Sequence, residues 1–397
     1  MPRLFELVSI AKHMSSVTDP KALLNWLTPR LPEMIRTLEV FVCAESPSTE
    51  KPAADACVQV IAAEWAKRKV QVELLRQKHR GDHLRVTYAP EKRSQSQLLV
   101  LGHYDTVYAS GTLTKMPFRA AAGRVFGPGA FDMKAGIVQA LFALDAIQSL
   151  GAQVKKRIVF LWTSDEEIGS ESSRKLLEAE AKRSDAVFVL EPSLGSKGLL
   201  KTARKGVGEA EIIVHGRASH SGLAPEKGVN AIHELALQLA RVKEWNDLPR
   251  GISVNAGVIA GGTRANVIPD RARAVVDLRA LRNDDIKKIE KRLRALRPLA
   301  RGAKLEVRGG FNRPPLERKH SKELFRRAVS FGNAMGLSIG EATAGGGSDG
   351  NLTAALGVPT LDGLGAIGDG AHSPGEYIIA RAMPQRAALL AALMLNS

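Results

Sequence analysis

Three uninterrupted apolar runs, Gln97–Gly102, Arg157–Thr163 and Ala186–Leu190, punctuate the first half of the chain. Runs of this length without polar alternation predict strands covered on both faces, as in a parallel sheet. Around them the spacing turns helical. Leucines recur at helical intervals over residues 21 to 41, interrupted by Pro29 and Pro32, which predicts a broken helix. Ala54–Lys69 carries Cys57, Val60, Ile61 and Trp65 along one helical face, and shorter strands are predicted at Val70–Leu75 and His83–Ala89. The loop Gly127-Pro128-Gly129-Ala130-Phe131 leads into Asp132 and then a helix reaching about Leu150.

The pattern then changes. Val207–Val214, Ile252–Ala260 and Arg271–Leu281 are longer and alternate polar with apolar positions, as strands with one wet face do. Helical stretches at Val229–Lys243 and Asp284–Leu296 lie among them, the second closed by Pro298. This predicts a separate small sheet layered with a helix pair. Its limits fall in the Gly195–Thr202 and Gly309–Pro315 stretches. The α/β pattern resumes at Ser321 with a helix, a glycine run, a short strand at Val358–Leu361 and a final helix from Ala380. The expected organisation is a doubly wound α/β domain of residues 1–202 and 313–397, interrupted by an inserted domain of residues 203–312.

A chain of 397 residues has room for two such cores. A hydrophobic content of 44% and a charged content of 25% are ordinary for a soluble globular protein, whereas a net charge of +16 is not. That charge suits either a nucleic acid or an acidic substrate. Basic residues are dispersed along the chain and aromatic residues make up only 5%, so a nucleic-acid partner is not expected. Two cysteines, Cys43 and Cys57, argue against a disulfide framework or a thiolate zinc site. No apolar run reaches membrane-spanning length. The opening MPRLFELVSIAKHMSS lacks the basic-apolar-small order of a secretion signal, so a cytoplasmic enzyme is expected.

Candidate chemistry sits just after the core strands. Arg157–Thr163 runs into Ser164-Asp165-Glu166-Glu167-Ile168-Gly169-Ser170, and adjacent carboxylates need a cation, a proton or a basic partner. Taken alone, they could simply be the acidic first turn of the next helix. His103 and Asp105 follow the first run, Asp132 follows the glycine loop, Glu191 follows the third run, and His372 follows the last short strand. A lone His there is usually a hydrogen-bonded surface group, and a lone Asp a helix cap. Shared placement at strand carboxyl ends, where α/β sheets bind ligands, is what these alternatives leave unexplained. Histidines and carboxylates without thiolates suit Zn²⁺, Co²⁺ or Mn²⁺.

The ordered segments GHYDTV, GPGAFDMKAG, TSDEEIGS, LEPS, GRASHSG, GGTRANVIP and GDGAHSPGEY resemble the M20 family of metallopeptidases, nearest to its glutamate carboxypeptidase G2 type. The similarity runs from about residue 95 onward, and ASHSGLAPEKGVNA is particularly specific to the family. The resemblance implies an α/β fold of two domains. A di-zinc peptidase domain, its mixed sheet flanked by helices, would carry an inserted α+β ferredoxin-like domain that serves as lid and dimerisation module.

It also implies two Zn²⁺ per chain, with Co²⁺ or Mn²⁺ as substitutes, bridged by Asp132 and a water or hydroxide. His103 and Glu191 would complete one shell, Glu167 and His372 the other. Asp105 would hydrogen-bond His103 and fix its ring. Glu166 would be the general base and then the acid, and His220 of the inserted domain would steady the oxyanion, typically in the partner subunit's site. Asn266 and Arg279 match the family's binders of the substrate carboxylate, and the Gly345–Ser348 run, with Ser348, offers donors near a helix start. Glu191 stands where many relatives carry Asp. The expected enzyme is a homodimer that cleaves the amide before a carboxylate-bearing residue of a small peptide. An aminoacylase on N-acyl amino acids or a dipeptidase is the alternative.

Overall fold

The computed structural model describes residues 19–89 and 96–397, so the opening segment read for a secretion signal lies outside the described residues. The contacts divide the chain into two compact units. One holds the residues up to Thr202 with Arg318–Ala342 and Ser348–Ser397, and the other holds Ala203–Glu317 with Thr343–Gly347. The second crossing thus falls after Glu317, five residues later than the sequence pattern suggests. The reason is a further strand, Lys304–Arg313, which pairs with Gly206–His215. Its Gly309-Gly310 pair resembles a turn in the sequence. In the structure Gly309 (φ +81°) lets two backbones close up, since a Cβ there would stand 2.3 Å from the Glu209 carbonyl oxygen.

The first unit is built on a six-stranded sheet in the order Gln71–Leu75, His83–Tyr88, Arg157–Thr163, Gln97–His103, Ala186–Val189, Thr360–Leu361. The first two strands are antiparallel to their neighbours and the other four run parallel. Strand alternation splits each continuous apolar run between two cores. Leu98, Val100, Ile158, Phe160, Trp162 and Phe188 face one side, among the helices Leu31–Cys43, Lys51–Ala66, Ala135–Ser149 and Ala382–Leu395. Leu99, Leu101, Val159, Leu161, Val187 and Val189 face the other, with Leu177, Ala181 and Leu352. The helix Ala135–Ser149 is buried almost all round because the equally apolar Ala382–Leu395 packs on it. The broken helix is Pro20–Leu27 and Leu31–Cys43, joined by one 3₁₀ turn that contains Pro29.

The second unit contains a four-stranded antiparallel sheet in the order Ser253–Gly261, Arg271–Ala280, Gly206–His215, Lys304–Arg313. With the helices Ala231–Lys243 and Asn283–Arg294 this makes the β-α-β-β-α-β ferredoxin-like arrangement. Ala272, Ala274, Val276 and Leu278 turn inward at every second position, to meet Leu235, Ile286, Ile289 and Leu293. Among the described residues no helix is long and apolar enough to cross a membrane.

A buried carboxylate braces the strand ends of the first unit's sheet. The Asp82 carboxylate accepts from Lys51 Nζ at 3.0 Å, Arg76 Nη1 at 2.6 Å and the Gln77 amide at 2.8 Å. Its carbonyl accepts from Tyr104 Oη at 2.6 Å, and the neighbouring Gly81 carbonyl accepts from Ser164 Oγ at 2.5 Å, fixing the strand ends beside His103 and Asp165. Burial pushes the Asp82 carboxyl up, but these three donors together hold it below its ordinary value. A folded-state pKa below the unfolded one stabilises the fold above about pH 4 and ceases to as pH falls through the folded value. Asp82→Asn should therefore cost about 1.5–2 kcal/mol at pH 7, the low end for hydrogen bonds to charge because both cations keep access to water. Urea melts should show that difference shrinking as pH is lowered below about 4.

Candidate metal centre

Because the strands run parallel, their carboxyl ends lie along one edge. His103 closes its strand in register with Thr163, Glu191 follows two residues after Val189, and Glu166 and Glu167 lie in a 3₁₀ turn just after Thr163. Asp132 comes from the irregular turn before Ala135–Ser149, where the Asp132–Met133 peptide is cis. His372 projects from a tight turn with φ +60°, a left-handed conformation rare outside glycine.

These segments gather five side chains into two triplets, His103–Asp132–Glu191 and Asp132–Glu167–His372, each with donor atoms within 4.8 Å of one another. The two Asp132 oxygens face opposite ways. Oδ1 lies 3.3 Å from His103 Nε2, and Oδ2 lies 3.6 Å from His372 Nε2. His103 Nε2 is 3.4 Å from Glu191 Oε1, and His372 Nε2 is 3.0 Å from Glu167 Oε2. Donors about 2.0–2.2 Å from a tetrahedral ion stand about 3.3–3.6 Å from each other, so three of these four spacings fit a bound cation and the His372–Glu167 pair would open by a few tenths of an ångström to admit one. Asp132 Oδ1 is buried and has no hydrogen-bond partner among the described residues, an arrangement that is costly unless a cation answers it.

The charges point the same way. Three carboxylates in this space carry more negative charge than two neutral imidazoles can offset. Burial opposes a charge on His103, yet Asp105, Asp132 and Glu191 hold it well above its ordinary value. His372, hydrogen-bonded to Asp132 and Glu167, is pushed up to about 10. Burial lifts the Glu167 carboxyl above the usual range. Burial also acts against the Asp132 carboxylate, but the two imidazoles keep it below that range. Divalent cations would relieve the same imbalance without taking up protons.

His103 Nδ1 lies 3.0 Å from the Asp105 carbonyl oxygen and 3.4 Å from its carboxylate. The ring is thus oriented mainly by the Asp105 backbone, rather than by the side chain that the resemblance suggests. A carbonyl only accepts, so the neutral ring carries its proton on Nδ1 and leaves the Nε2 lone pair for a cation. The Asp105 carboxylate does other work, accepting from the Glu166 and Glu167 amides, both at 3.3 Å, and from Ser48 Oγ at 2.7 Å. Glu166 is half-buried beside Glu167 and belongs to neither triplet. Ser48 gives no signal in the sequence, because it lies in an irregular segment far from Asp105. Lys201, whose Nζ stands 4.0 Å from Glu191 Oε2, is likewise not evident from the pattern.

The other expected residues are placed differently. His220 and Asn266 lie in the second unit on paired segments, where His220 is opposite Val267 and the Ser221 amide donates to the Asn266 carbonyl. His220 Nδ1 accepts from the Gly222 and Leu223 amides, both at 3.1 Å, so the neutral ring carries its proton on exposed Nε2. Arg279, on the strand Arg271–Ala280, grips Asp277 through Nε and Nη2 at 2.8–3.1 Å. Ser348 departs from the expectation of a substrate contact. It is fully buried in the first unit, donates to Asp362 Oδ2 at 2.6 Å and caps the helix Asp349–Ala355. Its hydroxyl is committed to holding that helix start.

The sequence profile described as Peptidase family M20/M25/M40 matches residues 99–396. Carboxypeptidase G2 of Pseudomonas sp. (strain RS-16) is 31% identical over 378 residues, which span 93% of this chain and 90% of that protein. Acetylornithine deacetylase of Myxococcus xanthus is 32% identical over 216 residues, 51% of this chain and 54% of that one. In fold, the chain matches the crystal structure of aminopeptidase PepT from Bacillus cereus ATCC 10987 with a TM-score of 0.75 and 22% identity, over 93% of this chain and 98% of that one.

Titration of metal-free protein with Zn²⁺, Co²⁺ or Mn²⁺ should reach two ions per chain. His372→Ala should retain one, whereas Asp132→Ala should weaken both together, since only Asp132 faces both triplets. Metal content after gel filtration, read by elemental analysis, checks this. One lost ion in Asp132→Ala with the other held as tightly as in wild type would refute the shared carboxylate.

Proposed function

The chain belongs to peptidase family M20/M25/M40, and from that premise we propose that it is a two-metal hydrolase cleaving the amide before a carboxylate-bearing residue, as a glutamate-type carboxypeptidase. One observation carries this reading. Two donor triplets meet on Asp132, while the adjacent Glu166 belongs to neither. Bound divalent ions would lower the pKa of the attacking water and polarise the scissile carbonyl. Glu166 takes the water's proton and returns it to the leaving amine. Asp105 holds the turn that carries Glu166 and Glu167 by accepting the amide of each.

In this reading the partner subunit's His220 donates from Nε2 to the developing oxyanion. Asn266 and Arg279 receive the substrate carboxylate, with Arg279 sharing its guanidinium between that group and Asp277. A net charge of +16 favours the approach of an anionic substrate. The acyl side is a separate matter, and acetylornithine deacetylase among the relatives supports a second reading, an amidohydrolase of N-acyl amino acids. Two unpaired thiols, Cys43 and Cys57, fit a reducing compartment such as the cytoplasm. A screen of N-acyl amino acids and short peptides with added Zn²⁺, Co²⁺ or Mn²⁺ tests the proposal. Release of a terminal acidic residue is expected, and C-terminally amidated substrates should resist. No hydrolysis of any of them by metal-loaded protein would overturn it.

The second unit also supports a homodimer. Its edge strand Ser253–Gly261 exposes Val258 (52%) and Ile259 (62%), and the neighbouring helix exposes Leu237 (50%). An open strand edge beside apolar side chains is a natural site for an isologous partner.

Two outcomes are expected. Glu166→Gln should retain both ions and substrate binding while kcat falls by several orders of magnitude, read by metal analysis and steady-state kinetics. Ile259→Lys should convert the dimer to a monomer, as measured by sedimentation equilibrium, because it sets like charges against each other across a twofold axis.

A further inference from the structure

We propose that Glu376 is a positioning residue that holds Asp132 in its two-sided orientation by grasping the backbone of its loop, an inference that rests on the two-metal reading. Glu376 is 1% exposed. Its Oε1 accepts from the Phe131 amide at 2.7 Å and the Asp132 amide at 3.0 Å. Its Oε2 accepts from the Gly129 amide at 3.1 Å and from Tyr108 Oη at 2.7 Å. Four donors converge on two oxygens, an arrangement that only the acceptor-only carboxylate satisfies in full.

The need for such a clasp follows from Asp132 itself. Among the described residues no donor hydrogen-bonds Oδ1, so none of them fixes the carboxylate from that side. The backbone that carries Asp132 must therefore supply much of its orientation. That backbone wraps around Glu376, helped by Gly129 at φ +71°, where a Cβ would also meet Thr106 Cγ2 at 2.5 Å.

The same carboxylate joins other parts of the centre. Glu376 belongs to the turn of His372, in which the Ser373 amide bonds the Gly370 carbonyl at 3.0 Å and the Glu376 amide bonds the Ser373 carbonyl at 3.2 Å. Tyr108, three residues beyond Asp105, shares its hydroxyl proton between Glu376 and the Ser373 carbonyl at 3.0 Å. Glu376 thus ties the loop of the shared carboxylate to the turn of one imidazole and to the segment that follows the other. Partners of this kind, behind a ligand, typically change metal affinity about 10–100-fold when altered.

Glu376→Gln keeps the shape and puts an NH₂ group against N–H donors. Metal-free protein competing with a chromophoric chelator for Zn²⁺ should show both dissociation constants raised about 10–100-fold. Thermal unfolding of the metal-free variant should fall below wild type, since buried hydrogen bonds are lost, but added Zn²⁺ should raise its midpoint by less than it raises that of wild type, a difference that a merely structural role would not produce. Tyr108→Phe, which leaves the three amide bonds in place, should weaken Zn²⁺ by less than about tenfold but measurably. If Glu376→Gln does not fold, Tyr108→Phe decides, and an unchanged constant there overturns the proposal. Wild-type affinity in folded Glu376→Gln overturns it too, while leaving the two-metal reading intact. A wild-type protein that binds no Zn²⁺ would overturn that reading and this inference with it.

Discussion

The structure depends on holding like charges together. Asp132, Glu167 and Glu191 converge with two imidazoles at one end of a parallel sheet, and carboxylates so close repel unless cations or protons lie between them. A flexible scaffold would let them part. Here His103 and Asp105 extend from a strand whose every residue is buried, and the turn of Glu166 and Glu167 is tied to Asp105 through two amides. Burial on both faces of the sheet supplies the rigidity that makes the crowding tolerable.

That rigidity divides the labour among the polar groups. Side chains make up the triplets, while backbone carbonyls and amides do much of the orienting. The Asp105 carbonyl sets the His103 ring, and the loop amides before and at Asp132 turn toward Glu376. Backbone groups suit this task because their positions follow from the fold and cost no side-chain entropy to fix. The second unit differs in kind. His220 and Asn266 lie on exposed, short-paired segments, and Arg279 balances its charge on a neighbour in its own strand.

Much of this can be read along the chain. The run Arg157–Thr163 is a strand with those limits, the helix Asn283–Arg294 ends just before Pro298, and Pro29 marks the break between two helices. Each of these depends on neighbours a few positions apart, where periodicity and backbone restriction act. The residue types after the strands likewise indicate metal chemistry, since histidines and carboxylates at the carboxyl edge of a parallel sheet are forced into one region.

Other features were settled only when distant segments met. The strand Lys304–Arg313 is hidden in sequence by a glycine pair that exists to let two backbones approach. Ser348 looks like a ligand donor in a glycine run but is occupied by Asp362, fourteen residues on. Ser48 reaches Asp105 across a separation of 57 residues, and Glu376 reaches the Phe131 amide across 245. The sequence by itself determined which side chains could carry the chemistry and which elements would present them, because those depend on local periodicity and side-chain type. Only the tertiary structure decided which hydrogen bonds orient them, because a buried donor takes whichever acceptor the packed chain brings within about 3 Å.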